Sequence, residues 1–243
     1  MNIDIKELDK VAAAQAPRFD MYGGIHKALR ALMADTLLAV GRMDCEDNLE
    51  LAQTTERVMR LLDICAGHLK HENDFIHAAI EARAPGASDR IGHEHAEHLR
   101  HIAQLGDTVA ALRAAPADRA PLAKALYAEL SLFIAENFQH MHVEETAHNA
   151  VLWARYTDAE LVAIHDALVA SIPPEEMMFT VRWLVPCMNP AERLGLLSDI
   201  RGKAPAPAFE AMLNVVRPHL GEGEWAKLAR GLGLPVAPGL ATA

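Results

Sequence analysis

The sequence predicts an all-α protein: an up-down-up-down four-helix bundle over residues 1–155, followed by an all-helical C-terminal extension over residues 156–243. Three observations carry that reading. Four long stretches repeat apolar residues at the 3.6-residue period of a helix. Short connections containing Pro, Gly, Ser and Asp separate them, which makes consecutive helices antiparallel neighbours. Beyond Trp153 the histidine density collapses and the punctuation changes, which marks a second region.

The first ten residues read as a short helical lead-in ending before Pro17. The first long helix runs from about Asp20 to Val40, with Ile25, Leu29, Met33, Thr36 and Val40 in one stripe and Gly41 just past its end. His26 lies at the edge of that stripe and points inward. Asp47 followed by Glu50 opens the second helix, whose apolar run of Val58, Leu61, Leu62, Cys65, Leu69, Ile76 and Ile80 reaches Ala84 before Pro85-Gly86 stops it. His68 and Glu72 share its apolar face, whereas His71 and His77 project more than a quarter-turn away and read as solvated. Ser88 or Asp89 caps the third helix, which carries Ile91, His98, Ile102, Leu105, Val109 and Leu112 and ends at Pro116. Here His98 is central, His95 is near the stripe, Glu94 is at its margin, and His93 and His101 are off it. The fourth begins around Pro121 and aligns Leu126, Leu130, Phe133, Asn137, His140, Glu144 and Val151.

In the extension, Thr157 with Glu160 caps a helix reaching about Ala170, Pro173-Pro174 opens another to Val185, and Asn189-Pro190 opens a third ending near Gly202. Two shorter pieces lie around Phe209–Val216 and Glu224–Arg230. The final PVAPGLATA reads as a flexible tail. Met177, Met178, Trp183 and Trp225 are its expected packing residues, and a protein partner could dock on it.

Composition narrows the function. A net charge of -10, with Lys and Arg dispersed among the acids, argues against nucleic acid or an anionic membrane as a partner. There is no apolar run of bilayer length, and the polar, acidic N-terminus does not resemble a secretory signal, so a cytoplasmic protein is expected. Cys45, Cys65 and Cys187 are far apart without C-x-x-C spacing and read as reduced thiols. Of the 13 histidines, ten fall between His68 and His148, which points to metal chemistry.

The spacing sharpens that. His68 and Glu72, and again His140 and Glu144, are four residues apart, so each helix presents an imidazole and a carboxylate on one face. A single histidine on an apolar stripe is more often a satisfied core residue than a ligand. Inward imidazoles on all four helices, with two inward carboxylates that would be costly to bury unpaired, favour metal coordination over a structural polar network. A ferritin-like site needs two E-x-x-H pairs, and only Glu145 to His148 supplies one. H-E-x-x-H, P-loop, G-x-G-x-x-G and serine-elbow motifs are absent.

The ordered segments IHKALRALM, HLKHENDFIHAAI, HEHAEHLRHI and HMHVEE make the stretch from Met21 to Trp153 resemble the hemerythrin family, in its bacterial HHE cation-binding branch. The resemblance implies a hemerythrin-like bundle holding two non-haem iron ions. His26, His68, His98 and His140 would be terminal ligands, and Glu72 and Glu144 would bridge. Imidazole and carboxylate suit manganese or zinc as well. The family's oxygen carriers have H-x-x-x-H in the third helix, whereas this chain has Glu94 at the earlier position, or His95 if the motif is shifted. That departure resembles relatives that repair iron centres or sense iron and oxygen.

The expected function is therefore binding or sensing of dioxygen, nitric oxide or iron by a di-iron centre. The alternatives are a di-iron oxidase or peroxidase, with Cys65 one turn from His68 as a candidate oxidisable thiol, and a metal-free interaction scaffold.

Overall fold

The computed structural model describes residues 18–235, and all regular structure among them is helical. The expected lead-in before Pro17 and the tail after Pro235 lie outside the described residues. Four long helices form the bundle: α1 Gly23–Arg42, α2 Asn48–His71, α4 Asp89–Ala114 and α5 Ala120–Val143. Each packs on its neighbour in sequence, and α1 closes the ring against α5. The Asp47 carboxylate caps α2 by accepting from the Leu49 and Glu50 amides at 2.8 and 3.1 Å. Helix α1 runs one residue past Gly41 to Arg42.

The stripes meet as their periodicity requires. Leu29, Met33, Val58, Leu61, Leu62, Leu105, Val109, Leu112, Leu126, Leu130 and Phe133 are all buried. Each large apolar side chain contributes about 1.5–3 kcal/mol on burial. That makes one end of the bundle a dry core able to hold the polar layer stacked on it.

Two of the bundle helices are not α-helical throughout. Helix α2 passes at Glu72 into a π-helical segment, Glu72–His77, before resuming as α3, Ala78–Arg83. Helix α5 does the same at Glu144, through Glu144–His148 into α6, Asn149–Arg155. A π turn closes i→i+5 and takes in one residue more than an α turn, so every side chain beyond it is rephased.

The described chain divides into two compact units, with the break between Ser171 and Ile172 rather than at 155/156. Helix α7, Asp158–Ser171, belongs to the first unit. Leu161, Ile164 and Leu168 pack on Met21, Tyr22, Ile76, Ile80 and Leu152, and Arg83 donates to Glu160 at 2.5 Å. Arg18 ties the same corner by donating to Asp158 and to the carbonyls of Trp153 and Tyr156. A cap such as Thr157 with Glu160 marks where a helix starts, but only its docked face tells which body it joins.

The second unit contains α8 Pro174–Cys187, α9 Pro190–Lys203, α10 Ala206–Val216 and α11 Glu222–Gly231. Val181, Val185, Leu197, Phe209, Leu213, Val216 and Leu228 form its core, with Met177, Met178 and Trp225 packed around them. Trp183 is half-buried. Arg193, 2 % exposed, donates to the carbonyls of Val185, Pro186 and Met188 and to Glu224, closing the carbonyl end of α8. No described helix is long and apolar enough to cross a membrane.

Candidate metal centre

Above the dry core, all four bundle helices turn an acid or an imidazole into one layer. His26 comes from α1, His68 from α2 with Glu72 just beyond its end, His95 from α4, and His140 from α5 with Glu144 just beyond its end. His26, Glu72, His95, His140 and Glu144 are each 4 % exposed or less.

The two glutamates lie between two sets of imidazoles, and each divides its oxygens between the sets. Glu72 Oε1 is 3.1 Å from His68 Nε2 and 3.5 Å from His26 Nε2, and Glu144 Oε2 is also 3.5 Å from His26 Nε2. On the other side Glu72 Oε2 is 3.6 Å from His95 Nε2, while Glu144 Oε1 is 3.4 Å from His95 Nε2 and 3.3 Å from His140 Nε2. These contacts are close but not aligned as hydrogen bonds. Both oxygens of both glutamates, and the Nε2 atoms of His26 and His68, are buried without a hydrogen-bond partner. Orphaned polar atoms cost about 1–3 kcal/mol each, and more when charged, so this many converging on one place needs a compensating ligand. Cations held among these imidazoles and carboxylate oxygens would satisfy them. The donor set fits metal binding.

Three of these imidazoles are aimed by a partner on the opposite nitrogen. His26 Nδ1 lies 3.0 Å from Glu145 Oε1, and Arg30 clamps Glu145 by donating to both of its oxygens at 2.6 and 3.0 Å. His140 Nδ1 lies 3.0 Å from Glu94 Oε2, and Arg90 donates to the other oxygen of Glu94. His95 Nδ1 lies 2.8 Å from Asn73 Oδ1. A carboxylate or amide oxygen only accepts, so each Nδ1 carries a hydrogen and Nε2 is the nitrogen turned toward the glutamate layer.

The electrostatics agree. Burial opposes charge on Glu72, but the neighbouring His68 and His26 imidazoles hold its carboxyl well below the ordinary range. Glu144 is likewise lowered against burial and the charge of Glu72, through His140 and His95. Burial would lower His26, yet Glu145, Glu72 and Glu144 outweigh it and raise the ring to about 9. The site is thus built around a pair of ionised carboxylates.

The structure brings together five of the six residues singled out from sequence: His26, His68, Glu72, His140 and Glu144. The third-helix position differs. His95 completes the group with Glu72, His140 and Glu144, 3.0 Å from His140 by its Nε2. His98 stands outside it, its ring edge-on to His140 at 4.7 Å and to Phe133 at 6.2 Å. Both side chains are buried on one face of α4, so rotation about the helix does not separate them. Height does, because His95 is level with the glutamates. Glu94 serves as His140's outer partner and not as a direct donor.

Sequence reasoning also missed His77 and His148. His77, expected in solvent, is 6 % exposed, and His148 is 3 % exposed; with Glu144 they form a further group of three donors. Burial, and after it the charges of His95 and His148, pushes His77 down to about 4, so its ring is neutral. The cause of the misreading is the π turn, because an α-helical wheel drawn through Glu72 misplaces every residue beyond it. The available signal was the histidine crowding itself, together with a histidine five residues after Glu72 and four after Glu144. Burial pushes the Cys65 thiol up to about 12, so Cys65 packs as a small apolar residue.

Residues 20–148 match the family model described as the hemerythrin HHE cation binding domain, and the clusters of histidine and glutamate fit a metal-binding protein. No curated protein and no solved structure matches the chain.

Proposed function

Because the chain belongs to the hemerythrin HHE cation-binding family, we propose that its bundle holds two non-haem iron ions and that the centre binds or senses a small ligand such as dioxygen or nitric oxide. The observation that carries this reading is the division of the Glu72 and Glu144 oxygens between two imidazole sets. His26 and His68 would hold one ion, His95 and His140 the other. Iron bound there would supply reversible one-electron redox chemistry and affinity for diatomic ligands.

The protein's own residues do the rest. Glu145, Glu94 and Asn73 fix the rings of His26, His140 and His95 before any metal arrives, so little ordering is lost on binding. Burial of the layer keeps bulk water and large substrates away, which favours a diatomic ligand over an organic one. The high thiol pKa of Cys65 gives no support to a thiol-assisted peroxidase. Cys45, Cys65 and Cys187 are all free thiols, which fits a reducing, cytoplasmic setting.

Anaerobic reconstitution with ferrous iron and subsequent metal counting test the proposal. Two irons per chain are expected, with loss in Glu72→Ala and Glu144→Ala and a changed visible spectrum on adding dioxygen or nitric oxide. Fewer than one iron per chain in the wild type would overturn it.

A further inference from the structure

The two π-helical segments share a design. Each starts on a glutamate of the centre and ends on a buried histidine: Glu72 to His77, and Glu144 to His148. A π turn sacrifices regular helical hydrogen bonding, and such turns concentrate at functional sites. The return here is positional, since on an α-helical path His77 would lie well away from the face that carries Glu72.

Once inside, neither ring behaves as packing. His77 Nε2 is buried with no hydrogen-bond partner. Its ring lies nearly parallel to His95, with centroids 4.7 Å apart and an interplanar angle of 14°. His148 Nδ1 pairs with the Tyr22 hydroxyl at 3.2 Å, the same use of the outer nitrogen that aims His26, His95 and His140. Tyr22 also packs against His26, with ring centroids 5.4 Å apart, which places it beside both His26 and His148. One donor atom from each of His77, His148 and Glu144 falls within a 4.8 Å group.

We propose that His77 and His148 are additional metal ligands, His77 to the ion held by His95 and His140, and His148 to the ion held by His26 and His68. The inference rests on the dinuclear reading above and extends it. Each ion then receives three imidazoles and two carboxylate oxygens, and an octahedral ion keeps one position for solvent or a small ligand. The centre is more enclosed and richer in nitrogen than the four-histidine set read from sequence.

X-ray absorption at the iron edge on the full chain, reconstituted anaerobically with ferrous iron alone, counts imidazoles per metal. Three per iron are expected in the wild type and two in the double variant His77→Ala/His148→Ala, with affinity for ferrous iron lowered at least tenfold. Exogenous imidazole should restore both the count and the affinity, which no packing role would allow. Two imidazoles per iron in the wild type would overturn the inference and leave the dinuclear reading standing, and this measurement decides even if the variant does not fold. A wild-type chain that takes up no iron would instead overturn the dinuclear reading, and this inference with it.

Discussion

His95 and His98 are one turn apart on α4, both buried, and differ in what their ring nitrogens meet. His95 has Asn73 on one nitrogen and the glutamate layer on the other; His98 has an unpartnered Nδ1 against an aromatic and apolar wall. His95→Ala is therefore expected to remove iron from the centre, while His98→Ala keeps the metal count and loses packing only. Metal analysis of the two purified variants checks this, and iron loss in His98→Ala alone would reverse the assignment. Glu145 is a separate case because it meets the outer nitrogen of His26 and acts through that ring. Glu145→Ala leaves the His26 ring free to rotate and should weaken iron binding by about ten- to a hundredfold, measured by competition with a chelator. None of these outer partners was legible from periodicity, since Glu145 lies off the apolar stripe that the sequence defines.

At the level of elements, the start of α7 and the end of α8 are each held by one side chain whose removal has a calculable sense. The Arg83 guanidinium and the hydrogen bonds from Thr157 hold the Glu160 carboxyl at about 2 against an ordinary 4.5. A depressed carboxyl pKa contributes stability above its unfolded value, and that contribution disappears as pH falls from about 4.5 to about 2. Glu160→Gln should accordingly melt below the wild type at neutral pH and converge with it near pH 2; a gap that persists in acid would show that the ion pair and cap are not its source. Arg193 at the end of α8 is buried and answers three carbonyls. Arg193→Ala leaves them unsatisfied and should cost about 3 kcal/mol or more, measured by denaturant unfolding. Helix caps are among the more legible features of a sequence, and Asp47, Thr157 with Glu160, and Asn189 cap where their residue types indicate, whereas Ser88 stands at the start of α4 without a side-chain cap and donates its hydroxyl to Glu81 instead. The π turns were not legible, because neither Glu72–His77 nor Glu144–His148 carries a spacing that departs from the α-helical pattern on either side.

For the whole molecule, metal and stability are linked only where the ligands are. The glutamate layer belongs to the unit before Ser171, and the unit after it has its own core. Saturating metal at a hundred times its dissociation constant stabilises a folded body by about 2.7 kcal/mol. Calorimetry with and without a chelator should move one unfolding transition and leave the other; equal shifts in both would mean that the two units unfold as one. The amino-acid sequence by itself determined the helical class, the four-helix order, several of the caps and five of the side chains that converge on the glutamate layer, because periodicity and i,i+4 spacing are properties of a single helix. Tertiary structure alone decided that His95 and not His98 is level with the glutamates, that His77 and His148 turn inward, and that α7 docks on the bundle. Those outcomes depend on the relative height of neighbouring helices and on where a helix takes in an extra residue, and neither quantity is written in the spacing of residues along one helix.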